Sequence, residues 1–499
     1  MEAAACARPA TGYTYARRQP EKTALFQVFQ QHLLTFEQQW TDQADGRTLP
    51  SFVTDELHAF LDCGILAKGF AHLYCDTCGE HHVVAFSCKA RAVCPSCLGR
   101  RMSEGATDLV DHVLPAVPIR QWVLTLPFPL RFPLAFDGKV LGEVLRIFMD
   151  TVACWYRERQ ADRGLPAGEG GAVAVIQRAN SDLRLNPHVH ALFLDGLYAP
   201  DGDGRGQMFH PAPGPSQHDV EQVVQRTSKR ILRFLQGRGV ISLVTAPGDG
   251  EVTVVADESM GEKDPLLAKL LAAAMAGAWA NKRNPVRIVL DTDDRPVTKG
   301  MLCSQDRGFN LHAATRVAAN DKPGRETLCR YILRPPLAND RLHILPGGNV
   351  KLEFKKPWSD GTSSIELSPL VLIARLAALV PPPRRHTTRY FGVLSSHAGS
   401  RSQVVPAPAT PPPAEQDKAQ KGSRYIRWSE LLRRVFGIEV VCGKCQNPLR
   451  LIALIKTEET AKKILAAMHL PTEVPQLHPA RPPPTPPTRE APSDEDWVN

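Results

Sequence analysis

Residues 172–198, AVAVIQRANSDLRLNPHVHALFLDGLY, place two histidines where neither packing nor solubility calls for them. Val173, Val175, Leu192 and Leu194 form short apolar runs on either side of NSDLRLNP, which is turn chemistry, so the stretch reads as a β-hairpin. His188 and His190 open its second strand. Residues two apart on a strand face the same way, so both imidazoles project together while Val189 points into the core. Two neutral imidazoles converging on one point make a metal-binding pair; a pair of surface histidines is the bland alternative. Gln177 ends the first strand eleven positions before His188 and can lie across the ladder, its amide oxygen a third ligand. Imidazole with oxygen suits Mg²⁺ or Mn²⁺ in an open site better than closed zinc, which prefers sulfur. Asp195 is another oxygen donor nearby, but ahead of Gly196 it reads as a strand-end turn residue.

Around this hairpin, 499 residues are enough for roughly three domains. A net charge of +8 and a pI near 8.9 favour a polyanionic partner. The apolar run LLAKLLAAAMAGAWA falls short of the roughly 18 residues of a membrane span and carries Lys269, so no span is expected. The opening residues, MEAAACARPATGYTYARR, lack the charged-then-apolar order of a secretory signal. A reducing cytoplasmic compartment is therefore expected, with the twelve cysteines read as ligands or core thiols before disulfides.

Cys75-x2-Cys78 is followed after fifteen residues by Cys94-x2-Cys97. Each pair forms a knuckle, and two knuckles are expected to close one tetrahedral structural zinc site from Cys75, Cys78, Cys94 and Cys97. Cys63, Cys88, His72, His81 and His82 lie close by, which leaves a swapped ligand or a second ion open. Such a site folds a small module and performs no chemistry, because no coordination position stays free. Lys89, Arg91, Arg100 and Arg101 surround the second knuckle and suit phosphate contacts, against the alternative of a solvated basic face.

Residues 1–22 read as a flexible N-terminus and 23–115 as a helical, zinc-ribbon domain. A strand in RQWVLT, an amphipathic helix over Leu141 to Arg159, the histidine hairpin and a helix from Asp219 to Leu235 follow. Residues 116–358 thus have the order of an α+β sheet layer covered by helices, with 240–300 a candidate insertion. Residues 359–402 read as a helical extension with a basic-aromatic group of Arg384, Arg385, His386, Arg389 and Tyr390. Residues 403–422 read as a proline-rich linker and 423–470 as a mostly helical module. Cys442-x2-Cys445 in that module is half a zinc site with no second half nearby. Residues 471–499 read as a disordered, proline-rich tail.

A second constellation lies in DRGFNLHAATRVAANDKPGRETLCRYILRPPLANDRL, residues 306–342. From Gly324 it reads as a helix that must end before Pro335, whose ring removes a backbone donor and clashes one turn back. Tyr331 falls in the last turn, between Arg330 and Arg334. From Arg307 to Trp358 ten Lys and Arg stand against four Asp and Glu, and Lys355, Lys356 and Trp358 add charge and a stacking face. That density suits single-stranded nucleic acid.

With a histidine pair, a basic strip and a cysteine module in one chain, the sequence resembles the IS91 family of insertion-sequence transposases, which are His-hydrophobe-His (HUH) single-strand endonucleases. The resemblance runs through CGILAKGF, FSCKARAVCPSCLGRRM, RQWVLTLPFPLRF, LNPHVHALFLDGLY, LHA, LCRYILRPPLANDRL, PPPRRHTTRYFGVLSSHA and WSELLRRVFGIEV. It implies an antiparallel HUH sheet, His188 and His190 as ligands of a catalytic divalent cation, and Tyr331 as a nucleophile that becomes linked to a 5′ phosphate. It implies rolling-circle mobilisation of its own element, with single-stranded DNA near hairpins at the element ends as partner and a bacterial, nucleoid-associated location. Self-association stays open. Arg330 and Arg334 would stabilise charge on the phosphate. His312, in LHA, would position DNA or buttress the site, against a core or helix-start role. Some family members carry two tyrosines four apart, but position 335 here is Pro335, so the likeness is to a single-tyrosine branch. A plasmid relaxase or replication initiator would share this chemistry; a non-catalytic zinc-ribbon regulator would explain the cysteines but not the histidine pair.

Overall fold

The computed structural model describes residues 18–44, 46–203, 206–245, 252–256, 269–271, 288–290, 296–358, 360–406, 442–445, 447 and 449–481. The Thr23 hydroxyl caps helix α1 (Ala24–Gln43), which meets helix α2 (Ser51–Asp62) through Phe26, Phe29 and Phe60. Phe36 and Trp40 are buried further along α1. The hairpin of β1 (Phe70–Tyr74) and β2 (His81–Ala85) and helix α3 (Pro95–Asp108) follow, and α3 widens into a π-turn over Leu109–Val113.

The central part contains β3 (Ile119–Thr125), α4 (Arg131–Phe136), α5 (Gly138–Ala161), β4 (Gly171–Ala179), β5 (Leu185–Leu194), β6 (Gly196–Pro200), β7 (Gln207–Pro211) and α6 (Gln217–Gly237). Ser216 and Asp219 form the capping box that starts α6. In the 240–300 segment, β8 (Ile241–Thr245), β9 (Val252–Ala256) and β10 (Ile288–Leu290) make a separate three-stranded sheet. Most of the Ala/Leu-rich stretch there lies outside the described residues. Then come β11 (Val297–Gly300), β12 (Cys303–Asp306), β13 (Phe309–His312), β14 (Arg316–Val317), α7 (Lys322–Leu333), β15 (Leu342–Ile344), β16 (Val350–Glu353), β17 (Ser364–Leu367), α8 (Pro369–Leu379), β18 (Thr388–Gly392), α9 (Arg401–Val404), β19 (Arg450–Ile455) and α10 (Glu458–Ala467).

Eight strands form one antiparallel sheet in the order β11-β12-β13-β3-β5-β4-β18, with β14 also paired to β3. Period-two alternation sorts the side chains into two cores. Trp122, Leu124, Ala174, Val189 and Phe193 face α5 and α6. Val173, Val175, Leu192 and Leu194 face Leu328, Cys329 and Ile332 of α7 and the π-turn. The chain is thus of mixed helix and antiparallel sheet, an α+β architecture. Among the described residues no helix is long and apolar enough to cross a membrane.

Several boundaries differ from the sequence expectation. Strand β18 pairs with β4 from Thr388↔Val175 to Gly392↔Gly171, so the sheet recruits a strand from the 359–402 extension. Strand β5 begins at Leu185, which puts His188 and His190 at its fourth and sixth positions rather than at its opening. Pro187 is tolerated there because β3 ends opposite His188 and the β4 register shifts between Gln177 and Ala179. Residues 471–481 are not a loose tail: His478 N donates to Gln30 O at 3.0 Å, and Arg481 N donates to Thr35 Oγ1 at 3.1 Å, both on α1. Pro20–Lys22 form a short 3-10 turn with Pro20 buried, so the first segment packs from there on. The expected helix from Trp428 lies outside the described residues.

Candidate active site

The histidine pair sits in the middle of the large sheet. His188 lies opposite Gln177 of β4 and Thr125 of β3, and His190 opposite Val175 and Val123. Their ring centroids are 5.0 Å apart. His188 Nδ1 stands 2.8 Å from the Asn186 carbonyl, an acceptor, which fixes the proton on Nδ1 and turns the Nε2 lone pair outward. His190 Nδ1 lies 2.8 Å from Gln121 Nε2. A half-turn of the amide, which exchanges Nε2 for Oε1 in nearly the same shape, would let Gln121 accept the Nδ1 proton and leave the Nε2 lone pair of His190 for an ion. His190 Nε2 is buried and has no hydrogen-bond partner among the described residues. A buried ring nitrogen of this kind is where a metal ion fits, since an unmet polar atom is otherwise costly.

Burial pushes His190 down to about 3, reinforced by His188 and the Arg334 guanidinium. Burial also lowers His188, with the Asn186 carbonyl opposing and Arg334 and Arg131 adding to it. Both rings are therefore neutral, the form that ligates metals.

Helix α7 delivers the tyrosine. Its start is set by Asp321, whose carboxylate accepts from Gly324 N, and it ends at Arg334, which turns extended ahead of Pro335. Tyr331 in the last turn is 43% exposed and meets His190 edge-on, with ring centroids 5.6 Å apart and planes at 89°. Arg334 lies over the tyrosine ring at 4.6 Å. Gln177 has a part in this: its Nε2 donates to the Ile332 carbonyl at 2.7 Å and the Tyr331 carbonyl at 3.4 Å. Those carbonyls are among the four a helix end leaves unmet, so Gln177 clasps the tyrosine-bearing turn to β4. It lies across the ladder as its spacing suggested, with its amide nitrogen bound to the helix.

Cross-strand partners share a face, so the register lays two rows across the sheet beside the pair. Cys303, His312, Val123 and His190 make one, and Gln305, Asn310, Thr125 and His188 the other. These side chains are partly exposed, apart from buried His190, whereas the alternating Ser304, Phe309, Leu311 and Leu124 are buried on the opposite face. His312 thus stands on the site's face, two strands from His190.

Other expected nucleic-acid contacts are distributed unevenly. Arg91 is a clamp between segments, donating to the carbonyls of Arg385 at 2.6 Å and Pro382 at 3.3 Å. Arg100 pairs with Glu104, Arg101 donates to the Lys89 carbonyl, and Arg330 pairs with Glu326. Lys355 and Lys356 are exposed. Trp358 beside them stacks on Phe354 at 4.8 Å and donates to Ser181 Oγ in the turn of the histidine hairpin. Asp195 is a buried hub rather than a simple turn residue: it accepts from Arg120, Arg316 and the Tyr156 hydroxyl. Gln121 escaped the sequence reading. Its one signal was a polar residue two and four positions before Val123 and Thr125, on the same strand face.

The cysteines converge differently from the expected grouping. Cys63, Cys88, Cys94 and Cys97 bring their thiols within 4.8 Å of one another, and Cys75 and Cys78 do the same with Cys442 and Cys445. Cys75 and Cys78 are therefore not partners of Cys94 and Cys97. The reason is placement: the first knuckle caps the far end of the β1–β2 hairpin, whereas Cys63 at the end of α2 and Cys88 after β2 lie against the start of α3. In the first cluster Sγ atoms stand 3.5 to 3.7 Å apart. Four thiolates about 2.3 Å from a tetrahedral zinc would be spaced about 3.8 Å, so the set fits that ion.

Residues 28–126 match the family model described as "Transposase zinc-binding domain", and residues 171–402 match the one described as "Putative transposase". No curated protein and no solved structure matches the chain. The first match ends just past β3 and the second carries both histidines, Tyr331 and β18, so the sheet is assembled from both. A zinc-binding module followed by a DNA-cleaving, strand-transferring domain in this order makes the chain a member of the IS91-family transposases.

Proposed function

We propose that this transposase cuts and rejoins single-stranded DNA through Tyr331, with a divalent cation held by His188 and His190, and mobilises its element by a rolling-circle route. One juxtaposition carries the reading: two neutral imidazoles, engaged at Nδ1, lie beside an exposed phenol whose ring is 5.6 Å from His190. A neutral phenol attacks weakly and needs a charged surround. Mg²⁺ or Mn²⁺ bound by the pair would polarise the scissile phosphate and neutralise charge developing on its oxygens.

The chain's own groups do the rest. The Tyr331 oxygen bonds to phosphorus, the bond from phosphorus to the 3′ oxygen breaks, and the phenol proton passes to that oxygen or to solvent. The downstream strand then stays on Tyr331 through its 5′ phosphate. The ester keeps the bond energy, so a free 3′ hydroxyl reverses the step and joins strands without ATP. Arg334 supplies fixed positive charge where the phosphate must sit, and Gln177 holds the turn that aims the tyrosine. The two polar rows offer a floor for the strand, with Lys355 and Lys356 near the hairpin turn for its phosphates. A relaxase would use the same site; membership of a transposase family favours element ends as the target.

The test is a single-stranded oligonucleotide carrying an element end, labelled downstream of the cut and incubated with Mn²⁺. A labelled protein band that survives denaturation and vanishes in Tyr331→Phe is expected. Specific binding with no adduct would leave a DNA-binding regulator and end this reading.

A further inference from the structure

We infer that Cys75, Cys78, Cys442 and Cys445 hold a second structural zinc ion, which buckles residues 442–481 onto the N-terminal domain. The thiols come from two Cys-x2-Cys knuckles whose inner members, Cys78 and Cys442, are 364 residues apart in the chain. All four Sγ atoms lie within 4.8 Å of one another, and Cys75–Cys445 and Cys78–Cys442 are each 3.3 Å apart. Both loops are built as knuckles by their own backbones: Cys75 N donates to Glu80 O, Gly79 N to Cys75 O, and Cys442 N to Asn447 O, all at 2.9 Å. Asn447 Nδ2 approaches Cys445 Sγ at 3.6 Å, the kind of outer contact that steadies a metal-bound thiolate. An all-sulfur tetrahedral set leaves no position for water or substrate, so the ion would be structural. Binding would release the thiol protons, and four thiolates on one Zn²⁺ carry a net double negative charge. Lys444 and Arg450 sit beside that charge, paired to Glu80 at 3.1 Å and Asp76 at 2.9 Å.

The packing beyond the knuckle shows why an ion is needed. Strand β19 adds to β1 from Phe70↔Ile455 to Tyr74↔Arg450, and Lys68 pairs with Glu458 at 3.2 Å. Helix α10 buries Ala461 and Leu465 but little else, and Leu451 and Leu454 of β19 are 51% and 53% exposed. An edge strand, two fully buried helix residues, a few partly buried apolar ones and the bonds of His478 and Arg481 to α1 are a modest anchor for a segment returning across several hundred residues, whose closure carries an entropy cost. Four metal–sulfur bonds supply what the apolar contact lacks. The first cysteine cluster lies wholly within residues 28–126, whereas this one needs two ligands from beyond both matched regions. The inference does not rest on the cleavage reaction proposed above.

The full-length chain, purified under reducing conditions, is expected to carry two zinc ions by elemental mass spectrometry. Cys442→Ser/Cys445→Ser should bring this to one, and amides of 70–74 and 450–455 should exchange at least tenfold faster while those of 119–125 stay unchanged. Cys75→Ser/Cys78→Ser must give the same pattern, which guards against a variant that merely misfolds at one end. Cobalt substitution should show a thiolate charge-transfer band that halves in either variant. One zinc in the parent, unaffected by Cys442→Ser/Cys445→Ser, overturns the inference. So does peptide mapping that finds Cys75–Cys445 and Cys78–Cys442 as disulfides.

Discussion

The cysteine clusters and the histidine pair are built on opposite principles. Cys63, Cys88, Cys94 and Cys97 enclose a point from all sides, with sulfur atoms at tetrahedral spacing. His188 and His190 offer two nitrogens from one face of a sheet, beside an exposed tyrosine that closes none of the remaining directions with a sulfur ligand. A closed sulfur shell can only stabilise a fold; an open imidazole pair can bind an ion that still has room for a phosphate. The difference teaches that ligand chemistry and enclosure together, rather than ligand count, separate the part that holds the chain from the part that would act.

That contrast can be broken in order of expected effect. Tyr331→Phe should remove the covalent adduct and lower strand cleavage by on the order of 10⁴-fold, as loss of a nucleophile does, with the melting temperature unchanged because the hydroxyl is exposed. His188→Ala/His190→Ala should lower metal-dependent cleavage by about 10³-fold, the equivalent of roughly 4 kcal/mol, while elemental analysis finds the zinc content intact. If zinc is lost as well, the two kinds of site are not independent.

Gln121→Leu should weaken Mn²⁺ binding by roughly 10- to 100-fold, read by titration calorimetry, since it removes only the group that orients His190. Gln177→Ala should cost about 1 kcal/mol in denaturant unfolding and reduce adduct yield, because two helix-end carbonyls lose their donor. A Gln177→Glu variant that loses Mn²⁺ affinity with unchanged stability would instead point to direct ligation. The last test is on pH. His190 is lowered to about 3 in the fold, against about 6.5 unfolded, so its contribution is present above about 6.5 and lost as pH falls toward 3. In metal-free buffer the parent should lose stability over that window with up to about 1.4 kcal/mol per pH unit more slope than His190→Asn.

Local patterns carried a large part of this molecule. The hairpin, the helix ending before Pro335 and the shared face of His188 and His190 follow from alternation, proline geometry and strand periodicity. The meeting of Tyr331 with His190 is a different matter, since 141 positions separate them and no local rule spans that gap. The zinc ligands show the same limit. Cys-x2-Cys is a statement about one turn of backbone, and it says nothing about which second turn completes the tetrahedron. Reading the nearest knuckle as the partner failed because Cys75 and Cys78 were drawn away to the end of a hairpin.

The amino-acid sequence by itself determined the residue types and the local geometry: imidazoles on one strand face, thiols in knuckles, a tyrosine in a final helical turn among arginines. These depend on bonds and torsions within a few residues, where chain order and space coincide. Only the tertiary structure decided the partners. It set Gln121 behind His190, Gln177 under the tyrosine-bearing turn, β18 at the edge of the sheet, and Cys442 and Cys445 opposite Cys75 and Cys78. Those pairings are selected by burial and strand register across the whole chain, and both are properties of the packed molecule that no short stretch contains.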